Sequence, residues 1–266
     1  MSFTDRLSSL IDSKKSHLCI GLDVQPEKFP KSVISSADPV IEFNTQIIKY
    51  TEDIAAAYKI NLAFYEALGN EGYRLLEKTL SMIPDEVLSI ADGKRGDIGT
   101  SSEMYAKALF TELEFDAVTV NPYMGHDSIE PFTRYPEKGV FVLVLTSNPG
   151  AMDFQKFNGG NGNPLYIEVA TKLSGWNKND NIGMVLGATH PEELKRAVES
   201  APGLPCLIPG VGKQGGDPKE LKKIFSNNRS NSFLVNSSSA IIYASNREDF
   251  ASRAREEAKS LREVLN

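Results

Sequence analysis

Val87-Leu88-Ser89-Ile90-Ala91-Asp92-Gly93-Lys94-Arg95-Gly96-Asp97-Ile98-Gly99 passes within a few residues from a short apolar run to a dense set of opposite charges. A run of this kind, bounded by charges and glycines, reads as a strand buried on both faces that stops at a polar end. Asp92 and Lys94 are two positions apart and so share one face of a continuing strand, while Asp97 lies beyond the turn. Such a cluster can be purely structural. It also offers chemistry, because a lysine held between carboxylates is favoured in its ammonium form and is then a competent general acid. The carboxylates would meanwhile repel an anionic substrate group, which suits its expulsion as neutral carbon dioxide.

The same alternation of short Val/Ile/Leu runs and longer helical periods extends in both directions from this stretch. Strands are predicted over residues 18–23, 55–61, 87–92, 117–121, 140–146, 182–187, 206–209 and 233–236. Helices are predicted over 39–52, 65–82, 101–112, 165–173, 191–198, 218–225 and 247–265. Asp38 before Pro39, Thr189 before His190-Pro191, and Asp217 before Pro218 combine a capping or acidic residue with proline in a first turn. Eight β/α units favour a closed (β/α)₈ TIM barrel over an open doubly wound sheet, with residues 1–266 as a single domain. No internal repeat, low-complexity segment or domain boundary interrupts the pattern. The most loop-like stretch, 148–163, follows the fifth strand, where barrels place lids and ligand contacts.

Polar residues recur at the C-terminal ends of the predicted strands, the end at which barrel enzymes build their active sites. Asp23 ends the first, Lys59 and Asn61 the second, Asp92 and Lys94 with Asp97 the third, Asn121 the fourth, and Thr146 with Ser147 the fifth. After the seventh strand comes Pro209-Gly210-Val211-Gly212-Lys213-Gln214-Gly215-Gly216-Asp217, followed by a helix. Glycine-rich loops at this position in a barrel bind phosphate through backbone N–H groups and a helix N-terminus. A phosphorylated small molecule is the implied ligand.

Composition narrows the classes further. With 266 residues, 41% hydrophobic, the chain can bury one large core. A net charge of −6 argues against a partner that is polymeric nucleic acid, so an anionic ligand must find local cations. Cys19 and Cys206 sit singly in apolar runs and read as buried thiols in a reducing, cytoplasmic setting. No apolar run approaches the ~20 residues that cross a bilayer, and the N-terminus lacks an export signal. His17, His126 and His190 are scattered without metal-site spacing, and His126 is expected at a helix start or in a loop.

These motifs, in this order, resemble the orotidine 5′-phosphate decarboxylase family, and in particular its longer bacterial branch. The resemblance runs along nearly the whole chain: Gly21-Leu22-Asp23, then Tyr58-Lys59-Ile60-Asn61-Leu62-Ala63-Phe64-Tyr65-Glu66, the Asp92 to Asp97 element, Thr146-Ser147-Asn148-Pro149-Gly150, and the glycine loop. The D-x-K-x-x-D element alone marks only a superfamily; the K-x-N and S-N-P-G companions make the likeness specific. The resemblance implies a catalytic array of Lys59, Asp92, Lys94 and Asp97, with Lys94 protonating C6 of the pyrimidine. It implies that Asp23 binds ribose hydroxyls, that Ser147 meets the pyrimidine edge, and that Gln214 and Gly215 belong to the loop over the phosphate. It also implies a homodimer in which Asp97 and Ser101 reach the partner's site, with no metal and no organic cofactor.

One position departs from the family pattern. Where the family commonly carries an arginine that grips the phosphate, after Asn236-Ser237-Ser238, this chain has Ser239. Ser239 cannot supply that charge, and the expectation is an intact fold with impaired phosphate recognition unless Lys213 compensates. Three alternatives stay open at this stage: a magnesium-dependent decarboxylase of a keto-sugar phosphate, a Schiff-base aldolase using Lys94 or Lys59, and a nucleotide-binding pseudoenzyme. Lys59 would repel magnesium, and flanking carboxylates keep a lysine protonated rather than nucleophilic.

Overall fold

The computed structural model describes residues 1–159, 162–211, 215–227 and 232–266. Eight parallel strands close in sequence order into a barrel: β1 Leu18–Gly21, β2 Ala57–Asn61, β3 Leu88–Arg95, β4 Ala117–Val120, β5 Gly139–Leu145, β6 Ile182–Leu186, β7 Cys206–Pro209 and β8 Phe233–Ser237. β8 pairs with β1 through Leu18↔Val235 and Cys19↔Asn236, which completes the ring. The predicted (β/α)₈ barrel is the fold observed, and helices cover it from outside, from Pro39–Thr51 to Phe250–Leu265.

Strand alternation divides the side chains into two sets. One set faces the helices, including Tyr58, Ile60, Val118 and Val140. The other fills the lower barrel: Cys19, Ala57, Leu88, Ile90, Ala117, Phe141, Val185, Leu207 and Leu234. Two residues further along the same faces come Lys59, Asp92, Thr119 and Asn236, so the alternation that builds the apolar floor also lifts a polar layer above it.

The bottom of the barrel is closed by a helix that the strand pattern did not predict. Phe3–Lys14 buries Phe3, Leu7 and Ile11, spaced four apart on one stripe, against that floor. Ser2 caps the helix by accepting from Asp5 N at 3.1 Å. Phe3 meets Phe141 edge-on at 5.9 Å, and a Cβ at Gly139 would stand 2.3 Å from the Phe3 ring, so Gly139 makes the seat.

Several predicted boundaries move, each for a local reason. β1 ends at Gly21 rather than Asp23, and β2 starts at Ala57 rather than Ala55. The predicted helix over 65–82 is two helices, Leu62–Glu66 and Asn70–Leu80, broken at Gly69, whose φ of 65° only glycine adopts easily. The helix predicted over 101–112 is Gly99–Lys107, continued by a π-helical turn at Ala108–Glu112. Asp217 acts at the start of Pro218–Asn227 by accepting from Lys219 N at 2.8 Å. Asp38 makes no capping bond and instead accepts from Arg74 at 3.1 Å, and His190, not Thr189, takes the N-cap position of Pro191–Ser200. Cys19 and Cys206 are buried free thiols, and burial pushes the Cys19 thiol up to about 12. Among the described residues no helix is long and apolar enough to cross a membrane.

Candidate active site

The C-terminal mouth of the barrel holds a cavity of about 370 Å³. Its floor is Val185 and Leu207, and its wall includes Asp23, Lys59, Asn61, Asp92, Lys94 and Thr119 on the β1–β4 side. Pro209, Gly210, Val211 and the run from Asn236 to Ala240 line the opposite side.

Lys59 and Asp92 come from adjacent strands, where Lys59 pairs with Ile90 and Asn61 with Asp92. Lys59 is 3% exposed and Asp92 8%. Lys59 Nζ donates to Asp92 Oδ2 at 2.9 Å and stands 3.7 Å from Asp23 Oδ1. Lys94 Nζ donates to the other carboxylate oxygen, Asp92 Oδ1, at 2.7 Å. Burial works to raise the Asp92 pKa, but the charges of Lys59 and Lys94 outweigh it and hold the carboxyl well below the usual carboxylate range. Burial likewise works to lower Lys59, and the charges of Asp23 and Asp92 reverse that, holding the ammonium above the ordinary lysine range. Each buried charge is therefore kept by its opposite.

Lys94 does not lie on a regular continuation of β3. Its φ is 44°, and the register between β3 and β4 shifts between Ala91 and Arg95, a bulge. The expectation of a shared strand face is corrected on this point: the bulge turns the backbone, and the long side chain curls back to Asp92. Arg95 points outward instead, paired with Glu66 and lying over the Tyr105 ring at 5.4 Å. Lys94 itself is open to the mouth, with its side chain 43% exposed.

The remaining sequence candidates divide. Asp23 lies at the mouth with Oδ1 buried and accepting no hydrogen bond among the described residues. Tyr243 holds its backbone, donating from its hydroxyl to Asp23 O at 3.1 Å and accepting from Gln25 N at 2.6 Å. Ser239 lines the mouth at the start of Ser239–Ile242. A Cβ on Gly21 would be 2.7 Å from Ser238 Cβ, so this glycine lets β1 close on β8 beside the cavity. Ser147 is not among the lining residues; its Oγ is buried beside Gly187 and makes no hydrogen bond within the described residues. Asp97 also stays out of the mouth of this chain and accepts from Ile98 N at 2.8 Å. Ser101 is exposed on Gly99–Lys107. Gly215 has φ 93°, is exposed and does not line the mouth, while Gln214 and Lys213 lie outside the described residues. His126 begins His126–Thr133 and packs on Trp176 at 4.9 Å, away from the mouth.

Thr119 and Asn236 are among the lining residues that escaped the sequence reading. Thr119 donates to Asp92 Oδ1 at 2.9 Å and accepts from Lys94 N at 3.0 Å. Asn236 accepts from the Cys19 thiol at 3.5 Å. The available signal was a polar side chain within an otherwise apolar strand, at the inward parity of its neighbours.

A closed parallel barrel with a mouth of alternating ammonium and carboxylate groups defines an enzyme class that works on a small ligand through fixed charge. Comparison with known proteins makes the assignment definite: residues 16–254 match the orotidine 5′-phosphate decarboxylase / HUMPS family, and the chain belongs to it. It is 45% identical over 269 residues to an orotidine 5′-phosphate decarboxylase of Dehalococcoides mccartyi strain CBDB1, covering 100% of this chain and 98% of that protein. A Flavobacterium johnsoniae orotidine 5′-phosphate decarboxylase is 45% identical over 265 residues, 98% of this chain and 96% of that one. Among solved structures, Leishmania donovani OMP decarboxylase aligns with a TM-score of 0.81 at 37% identity, over 98% of this chain and 99% of that one.

Proposed function

We propose that this chain decarboxylates orotidine 5′-monophosphate to uridine 5′-monophosphate and CO₂, as one (β/α)₈ domain in the cytoplasm and within pyrimidine biosynthesis. The observation that carries the proposal is the continuous array Lys59–Asp92–Lys94, in which one carboxylate bonds two ammonium groups in the barrel mouth.

The chemistry follows from that array. The C6–carboxylate bond breaks, CO₂ leaves as a neutral molecule, and the electron pair stays on C6, where the ring offers no good sink. Lys94 then gives one ammonium proton to C6, and solvent reprotonates the amine. An ammonium becomes more favourable as charge localises on C6, and a neighbouring carboxylate becomes less unfavourable once the substrate carboxylate has gone. Both effects favour the transition state over the ground state, and both need charges fixed in advance. Lys59 supplies that fixity, since it is buried and holds Asp92 from below. Magnesium would have to compete with two ammonium groups for Asp92, which disfavours the metal-dependent alternative.

Asp23 is assigned to the ribose hydroxyls, Ser147 to the pyrimidine edge, and Gln214, Gly215 and the neighbourhood of Ser239 to the phosphate. The quaternary part of the proposal is a homodimer in which Asp97 and Ser101 complete the partner's site. Ile98, Met104, Tyr105, Tyr123 and Met124 are exposed large apolar side chains close in sequence to Asp97 and Ser101 or to the end of β4. A surface so placed suits burial against a second copy.

The test follows orotidine 5′-monophosphate absorbance with purified protein in excess chelator, with the product identified by chromatography. Conversion to uridine 5′-monophosphate is expected. Failure of both the native chain and Ser239→Arg to convert it at saturating substrate would overturn the proposal in favour of a binding protein.

A further inference from the structure

We infer that Thr119 is a positioning residue for decarboxylation, fixing the backbone of Lys94 and the carboxylate of Asp92 through one hydroxyl. The inference rests on the decarboxylase proposal and adds a residue that no motif singles out. Thr119 is 1% exposed, lies on β4 and lines the mouth cavity.

Its hydroxyl has one proton and two lone pairs. Ionised Asp92 can only accept, so the proton goes to Asp92 Oδ1 at 2.9 Å. Lys94 N can only donate, so a lone pair receives it at 3.0 Å. With the 2.7 Å bond from Lys94 Nζ to the same Asp92 oxygen, a closed ring joins backbone amide, hydroxyl, carboxylate and ammonium. The direction of every bond in the ring is set by chemistry and not by choice of rotamer.

Lys94 needs such a hold. It is one of four non-glycine residues with positive φ among the described residues, and the others, Lys15, Glu114 and Asp180, lie away from the mouth lining. A bulky residue persists in the left-handed region only where its surroundings over-determine it, and such residues collect at functional sites. The bulge lets Lys94 curl over Asp92, and the Thr119 bond joins the bulge to β4. When Lys94 surrenders its proton its attraction to Asp92 weakens. Thr119 keeps its own bond to the same oxygen throughout, so the carboxylate stays aligned during the step that removes its partner's charge. Loss of the hydroxyl therefore acts on the transition state more than on substrate capture, and a displacement of ~1 Å in such a site costs on the order of 100-fold.

The test compares Thr119→Val, nearly isosteric but without the hydroxyl, with Thr119→Ser, which restores it, by steady-state kinetics on orotidine 5′-monophosphate and by calorimetric binding of uridine 5′-monophosphate. The expected result is a kcat about 10- to 100-fold lower in Thr119→Val, with KM and product affinity within about threefold of native, and a kcat within about threefold of native in Thr119→Ser. A Thr119→Val kcat within twofold of native overturns the inference. So does a Thr119→Ser kcat as low as that of Thr119→Val, since packing and not the hydroxyl would then matter. If Thr119→Val does not fold, Thr119→Ala against Thr119→Ser gives the same hydroxyl comparison. A native chain that turns nothing over refutes the decarboxylase proposal itself, which is a distinct outcome.

Discussion

Lys59 Nζ lies 2.9 Å from Asp92 Oδ2 in a contact almost wholly withdrawn from water. Removing Asp92 leaves the buried Lys59 ammonium facing the charge of Asp23 alone. Asp23, 3.7 Å from Lys59, is the nearest replacement and is too far for a hydrogen bond. Asp92→Asn should therefore destabilise the fold by about 3–5 kcal/mol in urea denaturation. A loss below ~1 kcal/mol would mean that the charge of Lys59 is not trapped as described.

The same pair sets the pH response. Asp92 is held below its ordinary value, near 3.8, so its stabilising contribution is complete above that value and is lost as pH falls through the lower folded value. Lys59 is raised, so its contribution is complete below the ordinary value near 10.5 and is lost as pH rises through the higher folded value. Stability from the pair should be flat between about pH 5 and 9 and fall outside that window. Denaturation midpoints measured from pH 3 upward should fall more steeply in acid for the native chain than for Asp92→Asn; parallel profiles would remove Asp92 as the cause.

Lys94 presents the opposite case, with its side chain 43% exposed at the mouth. An exposed ion pair contributes only about 0–1 kcal/mol, whereas a general acid contributes on the order of 10²–10⁴ in rate. Lys94→Ala should leave the melting temperature nearly unchanged and lower kcat by about 10²–10⁴-fold. Retention of more than a tenth of native turnover would assign proton delivery to another group.

These contrasts show what the sequence can and cannot carry. The strand runs are legible because a parallel barrel buries both strand faces and leaves apolar blocks, and Asp23, Lys59 and Asp92 are legible because charge at the end of such a block is costly without a purpose. The bulge at Lys94 is not legible, since it arises from pairing between β3 and β4 and not from residue type. Phe3–Lys14 carries a readable stripe of Phe3, Leu7 and Ile11, yet its partner is the barrel floor, which exists only once eight strands have closed. Thr119 stays hidden because threonine is an ordinary strand residue, and its neighbourhood to Asp92 depends on how β4 pairs with β3. Asp97 and Ser101 are found by motif, yet neither lines the mouth of this chain.

The proposed sharing of sites makes a specific demand on mixtures. Lys94→Ala and Asp97→Ala chains should each be nearly inactive alone. If Asp97 serves the partner's Lys94, a mixed dimer contains one site with both residues intact and one with neither. Random reassortment of equal amounts in a two-fold dimer should then restore about a quarter of native activity. Activity that stays at the level of the separate variants would place Asp97 and Lys94 in the same protomer's site, or outside a shared site altogether.

Ser239 sets the last expectation. Among the described lining residues the cations of the mouth are Lys59 and Lys94, and both are bonded to Asp92. The side formed by Pro209, Gly210, Val211 and the Asn236 to Ala240 run offers hydroxyl, amide and backbone groups but no positive charge. From these described residues a phosphate dianion gains only neutral hydrogen bonds, whereas a charge-assisted bond contributes about 1.5–3 kcal/mol, a factor of roughly 10 to 100. Ser239→Arg should raise kcat/KM for orotidine 5′-monophosphate by about that factor and leave the response to the dephosphorylated nucleoside unchanged. The nucleoside control matters because a general electrostatic gain would move both substrates, while a phosphate contact moves one. If Ser239→Arg leaves the phosphorylated substrate unaffected and Lys213→Ala lowers its kcat/KM by a similar factor, the phosphate charge is supplied by the glycine-rich loop and Ser239 costs the enzyme nothing.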